Sequence, residues 1–406
     1  FLGDAYEEQL EYVRILAAGD KSNPDWERAQ KQYDKEYEET LGMQAQYNQI
    51  YAQIVEANNL ISKHLGKEDY TVKDVEAIKT EDEALSKAIG MLSFMYANGF
   101  EDTQAALTGI KEGVDHFNEK LKYNLNIDFN GRTTGDDVND LTDVGYGNGN
   151  VMPSEIGESH GTHVAGIIAA QRGNGKGVDG VANNVQIMSL RAVSNGDEYD
   201  KDIALAIRYA VDNGAKIING SFGKYFSPHS DWVRDAIAYA GKHDVLFVNA
   251  AGNEGDDLDL VAVYPNDQVN NGPEVSDTFI TVGALEPKYG ANMVAGFSNY
   301  GKINVDVFAP GAKIYSTTPQ NEYKTMGGTS MAAPAVAGIA ALIRSYYPKL
   351  SAAQVKQIIM DSGLALSTKV IVGGDTENIK PIKDLSKSGK IANAYNALIM
   401  AEQLSK

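Results

Sequence analysis

The chain has no cysteine in 406 residues. That excludes disulfide staples, thiolate metal centres and a cysteine nucleophile. Positive charge is also scarce: 36 Lys and Arg stand against 55 Asp and Glu, a formal charge of −19. A chain of that sign repels phosphate backbones and anionic surfaces, so no nucleic-acid partner is expected. Long apolar runs are missing as well. The most apolar stretch, Met331 to Ile343, contains Pro334 and falls far short of the roughly 20 residues that span a bilayer. The start, Phe1-Leu2-Gly3-Asp4, has neither the basic residues nor the apolar core of a secretory signal. Its first residue is not Met, which suggests a processed chain or a fragment. What remains is an acidic chain long enough for about two to three domains, or for one large domain with an insertion.

Residues 1–122 differ in character from the rest. They are rich in Glu, Lys, Gln, Tyr and Ala. Asn23-Pro24 opens a helix, Pro24 lacking only an N–H that is unused there. Tyr33, Tyr37, Leu41, Tyr47, Ile50, Ile54, Ala57, Ile61 and Leu65 then recur at three- and four-residue steps up to a stop at Gly66. Thr71–Asp74 and Thr80–Glu83 read as capping boxes opening two more helices, and a fourth is expected near 102–122. This part is expected to be a helical subdomain whose tyrosine-rich face packs internally or docks a protein partner. Residues 123–158 read as a long glycine-rich loop. Beyond it, β-branched runs near 185–193, 215–220, 244–250, 279–285 and 304–309 alternate with amphipathic helices near 159–171, 201–213, 229–242, 329–347 and 351–362, and a last helix covers about 389–403. That alternation predicts an α/β fold with a parallel sheet flanked by helices over 123–406.

Two motifs carry chemistry. Gly328-Thr329-Ser330-Met331-Ala332-Ala333-Pro334 places a serine where a glycine turn enters a helix, beside unpaired N–H groups and the positive end of the helix dipole, with Pro334 expected in the first turn, where its missing N–H costs nothing. His160-Gly161-Thr162-His163-Val164-Ala165-Gly166 places a histidine at another helix start, with His163 expected to be structural. A serine needs a base to take its proton and donors for the oxyanion that forms. Asn253, in the turn Ala250-Ala251-Gly252-Asn253 after an apolar strand, can aim its amide at that oxyanion. Three acidic groups stand apart: Asp197, Glu198, Asp200 and Asp202; Asp256, Asp257 and Asp259; Asp136, Asp137 and Asp140. None has EF-hand spacing. Solvated loops are the first reading, with a structural calcium as the second.

In that order, the histidine, Ala-Ala-Gly-Asn and serine motifs resemble those of the subtilisin-like serine peptidases, the subtilases, over about residues 155–405. The resemblance implies a peptidase with His160 as general base, Ser330 as nucleophile and Asn253 as oxyanion donor. It also implies a substrate-pairing strand at Ile218–Gly223, with Ser221, Phe222, Gly223, Ala250, Ala251 and Gly252 flanking the pocket for the residue before the cut. No cofactor is implied for the chemistry, peptides or proteins are the implied substrates, and a secreted or cell-envelope location in a bacterium is implied. One family feature is missing. Subtilases carry a catalytic aspartate on an apolar strand ending Asp-Ser-Gly or Asp-Thr-Gly before the histidine, and nothing in residues 1–159 matches. Asp361-Ser362-Gly363 falls after Ser330 at a helix end and reads as a cap. Asp128, after Leu125-Asn126-Ile127, is the one in-chain candidate. The expectation is that the aspartate strand lies upstream of Phe1 and is supplied by another piece, residues 1–122 being an insertion between it and the histidine helix. The rival expectation is an inactive subtilase kept as a binding or scaffold subunit of an envelope assembly. A serine esterase is a weaker third.

Overall fold

The computed structural model describes residues 7–153 and 158–406. The expected start of the helical part at residues 1–6, and residues 154–157 of the expected loop, lie outside the described residues. The chain divides into two compact units, Glu7–Arg132 and a second that runs from Thr133 to Lys406.

The Glu7–Arg132 unit is helical: α1 (Glu11–Ala17), α2 (Trp26–Leu65), α3 (Val72–Glu76), α4 (Glu83–Ala97) and α5 (Thr103–Glu119). Helix α2 stops at Gly66, whose φ of 66° is the left-handed conformation that ends helices without a Cβ penalty. Ile54, Ala57 and Ile61 of α2 pack with Leu85, Ala88, Leu92 and Met95 of α4 and with Ala106 of α5. The N-terminal half of the expected apolar face is not buried in the same way, and Leu41 is exposed. At 40 residues, α2 is about 60 Å long and changes partners along its length: its N-terminal half buries Ala29 and Thr40 and meets Tyr12 of α1 through Glu36, and its middle meets Phe117 of α5 through Tyr47. Tyr33 and Tyr37 stack on each other there, with ring centroids 5.4 Å apart. The capping box at Thr71 is present in full. The one expected at Thr80 is not: Asp82 caps α4 by accepting Leu85 N–H, and Thr80 accepts Asp82 N–H. Helix α1 carried no sequence signal that was recognised.

The second unit is an α/β layer structure. Its elements are α6 (His160–Ala169), α7 (Asp200–Asp212), β1 (Ile217–Gly220), α8 (Ser230–Lys242), β2 (Leu246–Ala250), β3 (Phe279–Leu285), β4 (Val307–Pro310), β5 (Ile314–Thr318), β6 (Glu322–Met326), α9 (Thr329–Tyr346), α10 (Ala352–Ser362), β7 (Leu364–Ala365), β8 (Lys369–Val372), β9 (Asp375–Pro381), β10 (Lys390–Ile391) and α11 (Ala394–Leu404). The main sheet runs β1-β2-β3-β4-β10-β7, with only β7 antiparallel to its neighbour. One face packs against α9, α10 and α11 through Leu246, Ile280, Val282, Val336 and Ile343. The other packs against α7 and α8 through Phe247, Phe279, Ile203 and Ile237. Burial on both faces explains why β2 and β3 read as continuous apolar runs.

The strand expected at 185–193 does not form. A strand needs a ladder, and this segment has none. Residues 185–190 and the outer side of β1 instead face each other across a groove of about 860 Å³. The hairpins β5–β6 and β8–β9 were not expected. Their second strands, β6 and β9, are largely exposed, while β8 buries Val370 and Val372.

Candidate active site

Ser330 is the second residue of α9, after Gly328 and Thr329. Pro334 was expected in the first turn, where it would cost nothing. It lies inside the helix instead. A proline there has no N–H to give to the carbonyl four residues back, that of Ser330. The Ser221 hydroxyl donates to that carbonyl at 2.8 Å, while Asn219 Nδ2 donates to Ser221 Oγ at 2.9 Å. The Ser330 hydroxyl in turn donates to the Ser221 carbonyl at 3.3 Å. The Ser330 backbone is therefore pinned to the end of β1, and its hydroxyl is held by only one long bond.

Asn253 lies at the same end of the sheet, three residues past β2. Its Oδ1 accepts from Thr329 N–H at 2.8 Å and from Thr329 Oγ–H at 3.0 Å. A backbone N–H can only donate, so this pair fixes which end of the amide is oxygen. Nδ2 is left as the outward donor on an exposed residue. Thr329 Oγ also accepts Gly252 N–H at 3.0 Å, which joins the Asn253 turn to the start of α9. Among the other expected pocket residues, the side chains of Ala250 and Ala251 are buried in the core and Phe222 packs with the β1–α7 cluster. Gly223 lies in the segment beside Val263, where an added Cβ would come within 3.4 Å of the valine.

His160 opens α6. The helix docks on the β5–β6 hairpin: Ser316 and Thr317 hydroxyls donate to the carbonyls of His163 and Thr162 at 2.8 and 3.0 Å. Gly166 permits the approach, since a Cβ there would overlap both hydroxyls. His163 is fully buried. Its Nε2 lies 3.1 Å from the Ile314 carbonyl and 3.0 Å from that of Lys324, so that nitrogen carries the proton and His163 is structural. Val164 and Ile167 then meet Met331, bringing the starts of α6 and α9 side by side. His160 is exposed to solvent at the start of α6, yet crowding by the surrounding protein, and secondarily the nearby His163, lowers its pKa from the ordinary 6.5.

Among the described residues no carboxylate bonds to His160. Asp361 sits in the last turn of α10, accepting from Gln357. Asp128 lies in the other unit, in a turn where its own N–H donates to Asn126. The acidic groups have protein partners. Asp200 pairs with Lys224 at 3.0 Å, Asp136 with Lys201 at 2.7 Å and Asp257 with Lys380 at 3.2 Å. Asp202 accepts from Tyr146, Asp256 from Tyr225, and Asp259 from the Ile303 and Asn304 N–H groups. Oxygens so committed do not make a calcium cage, and no group of three or more His, Cys, Asp or Glu among the described residues is arranged to hold a metal. Thr329 and Ser221 are the site residues whose roles the motifs did not disclose. The proline four residues after Ser330 was the available signal for Ser221.

The subtilase family model matches residues 102–389. The chain belongs to the subtilase family. It is 43% identical over 188 residues to a thermophilic serine proteinase of Bacillus sp. (strain AK1), covering 46% of this chain and 43% of that protein. It is 36% identical over 225 residues to subtilisin DY of Bacillus licheniformis, covering 55% of this chain and 77% of that one. A cell wall-associated protease of Bacillus subtilis (strain 168) is 34% identical over 241 residues, 58% of this chain but 25% of the relative. Two of these three relatives are thus matched over less than half their length. Among solved structures, a protease from Pseudoalteromonas arctica PAMC 21717 superposes with a TM-score of 0.50 at 29% identity, covering 68% of this subtilase and 78% of the other chain. No described helix is long and apolar enough to cross a membrane.

Proposed function

We propose that this subtilase is a serine endopeptidase that cuts extended peptides through an acyl-enzyme. The observation that carries the reading is the orientation of Asn253, whose oxygen is tied to Thr329 so that its N–H₂ group faces out beside the nucleophile. His160 takes the Ser330 proton as Oγ bonds to the substrate carbonyl carbon. Asn253 Nδ2 and the Ser330 N–H hold the resulting oxyanion. The C–N bond then breaks, and His160 passes its proton to the leaving amine. Water repeats the sequence to release the acid. No cofactor enters this chemistry. The backbone of Ile218–Gly223 pairs with the peptide, and Ser221–Gly223 with Ala250–Gly252 flank the residue before the cut. Asn253→Ala lowers kcat by about 10²–10³-fold with little change in KM. That is the loss seen when such a donor is removed from the related enzyme subtilisin. Steady-state hydrolysis of a peptide anilide checks it, and an unchanged kcat would contradict the assignment.

The orienting carboxylate comes, in this proposal, from a strand outside residues 1–406. Strand β1 ends the sheet, so its outer edge has no strand partner among the described residues. Residues 185–190 flank the same groove without a ladder of their own, and Asn219, whose amide oxygen is buried with no partner, lines it. Gly161, Val164 and Ala165 of the histidine helix line it too. An apolar strand laid parallel to β1 would satisfy both edges. An aspartate at its C-terminal end would reach His160. Residues 7–132 are then an insertion between that strand and α6, and secretion or attachment to a bacterial envelope fits the relatives.

The same arrangement predicts a pH profile. With its pKa lowered by desolvation, His160 is a neutral base at lower pH than a free imidazole, so kcat/KM rises with pH through a pKa below 6.5. Pairing with the carboxylate moves that limb upward. A limb that does not move when the carboxylate is supplied would contradict the pairing.

A further inference from the structure

Thr329 holds the Asn253 side chain and the Gly252 N–H, and the Phe297 carbonyl accepts the Gly255 N–H at 2.8 Å. Four further bonds to the backbone between Ala251 and Asp256 come from one residue elsewhere in the chain. Asn299 is fully buried. Its Oδ1 accepts the N–H of Glu254 at 3.1 Å and of Asp256 at 2.8 Å. Its Nδ2 donates to the Ala251 carbonyl at 3.0 Å, and its own N–H donates to the Gly252 carbonyl at 3.0 Å. One residue thus bonds the turn on both sides of Asn253. Gly252 has a φ of 104°, and an added Cβ there would overlap Asn299 Nδ2, so the glycine makes room for the amide. Glu254 closes the arrangement. Its Oε2 accepts the Asn253 N–H at 2.8 Å, the Tyr225 hydroxyl at 2.9 Å and, weakly, Asn299 Nδ2 at 3.4 Å.

We propose that Asn299 is a positioning residue for the reaction: it sets the Ala251–Asp256 backbone so that Asn253 Nδ2 meets the oxyanion. The inference rests on the peptidase reading given above. An alanine at 299 removes both acceptor bonds and the Ala251 contact at once, leaving the turn held by fewer bonds, those of Gly252 to Thr329 and to the residue 299 N–H and that of Gly255 to Phe297, and so able to shift. A displacement of about 1 Å at a transition-state donor costs on the order of 10²-fold in rate. The loss falls on kcat, because the donor acts on charge that develops only in the transition state.

The test is a double-mutant cycle on the active enzyme with Asn253→Ala, Asn299→Ala and both together, with thermal unfolding recorded for each. Positioning predicts that Asn299→Ala lowers kcat about 10²-fold at unchanged KM in the parent, yet changes kcat less than about threefold once Asn253 is already alanine. A merely structural residue would instead lower kcat by the same factor in both backgrounds, and that result overturns the proposal. If the alanine variant does not fold, Asn299→Ser carries the same cycle, since it removes the amide while leaving a small hydroxyl in the buried space and adding no charge beside Glu254. If Ser330→Ala leaves the hydrolysis intact, the peptidase reading itself has failed. If Ser330→Ala abolishes hydrolysis while the cycle is additive, only the role of Asn299 has.

Discussion

Replacing Ser330 by alanine abolishes peptide hydrolysis by the assembled enzyme, with kcat falling on the order of 10⁶-fold, and leaves the fold intact. In serine-triad enzymes, subtilisin among them, the serine and its base act as a unit, so losing the nucleophile removes nearly everything except the contribution of the oxyanion donors and binding. The structural cost is small. The Ser330 hydroxyl makes one bond, at 3.3 Å, to the Ser221 carbonyl. The bond that holds the helix start uses the Ser330 backbone oxygen instead, and alanine keeps it. Initial rates on a peptide substrate, together with an unfolding curve, check both halves. A variant that retains activity would place the nucleophile elsewhere.

Supplying the proposed aspartate strand is expected to raise the rate by about 10⁴-fold. That is the factor by which a triad enzyme falls when its aspartate becomes asparagine and the histidine adopts the wrong tautomer. The prediction is made for the chain produced together with a segment that carries an apolar strand ending Asp-Ser-Gly or Asp-Thr-Gly. Replacing that aspartate by asparagine separates two contributions. The asparagine segment still fills the groove beside β1 and raises thermal stability, because apolar burial and the new ladder do not need the charge. It does not restore the rate. If both segments activate equally, the groove matters for packing alone, and His160 is oriented by something else.

The candidate site residues were legible because each lies in a motif that is local in sequence. The glycine turn before Ser330, the helix start at His160 and the turn containing Asn253 each lie within a few consecutive residues, and the structure brings the starts of α6 and α9 together through Val164, Ile167 and Met331. What was misread depends on distant partners. Residues 185–193 have the composition of a strand, but a ladder is a property of two segments, and among the described residues no second segment pairs with them. Pro334 looked harmless until the helix start was located at Thr329, which puts the proline opposite the Ser330 carbonyl. The hairpins at 314–326 and 369–381 gave little signal because β6 and β9 are largely exposed, and the alternation of buried Val370 and Val372 in β8 spans only four residues. Asn299 gave no signal at all: its bonds run 43 to 48 positions back along the chain, and no spacing rule connects them.

The most direct measurement is labelling of the purified protein with a fluorophosphonate, beside Ser330→Ala, with intact masses recorded. Phosphonylation requires an activated serine and reports it without any choice of substrate. The account predicts rapid labelling at Ser330, lost in the alanine variant, in material whose masses include a segment bearing the aspartate strand, and slow labelling of residues 1–406 alone. Folded protein that contains the strand and still fails to label would contradict the claim that this subtilase is a serine peptidase.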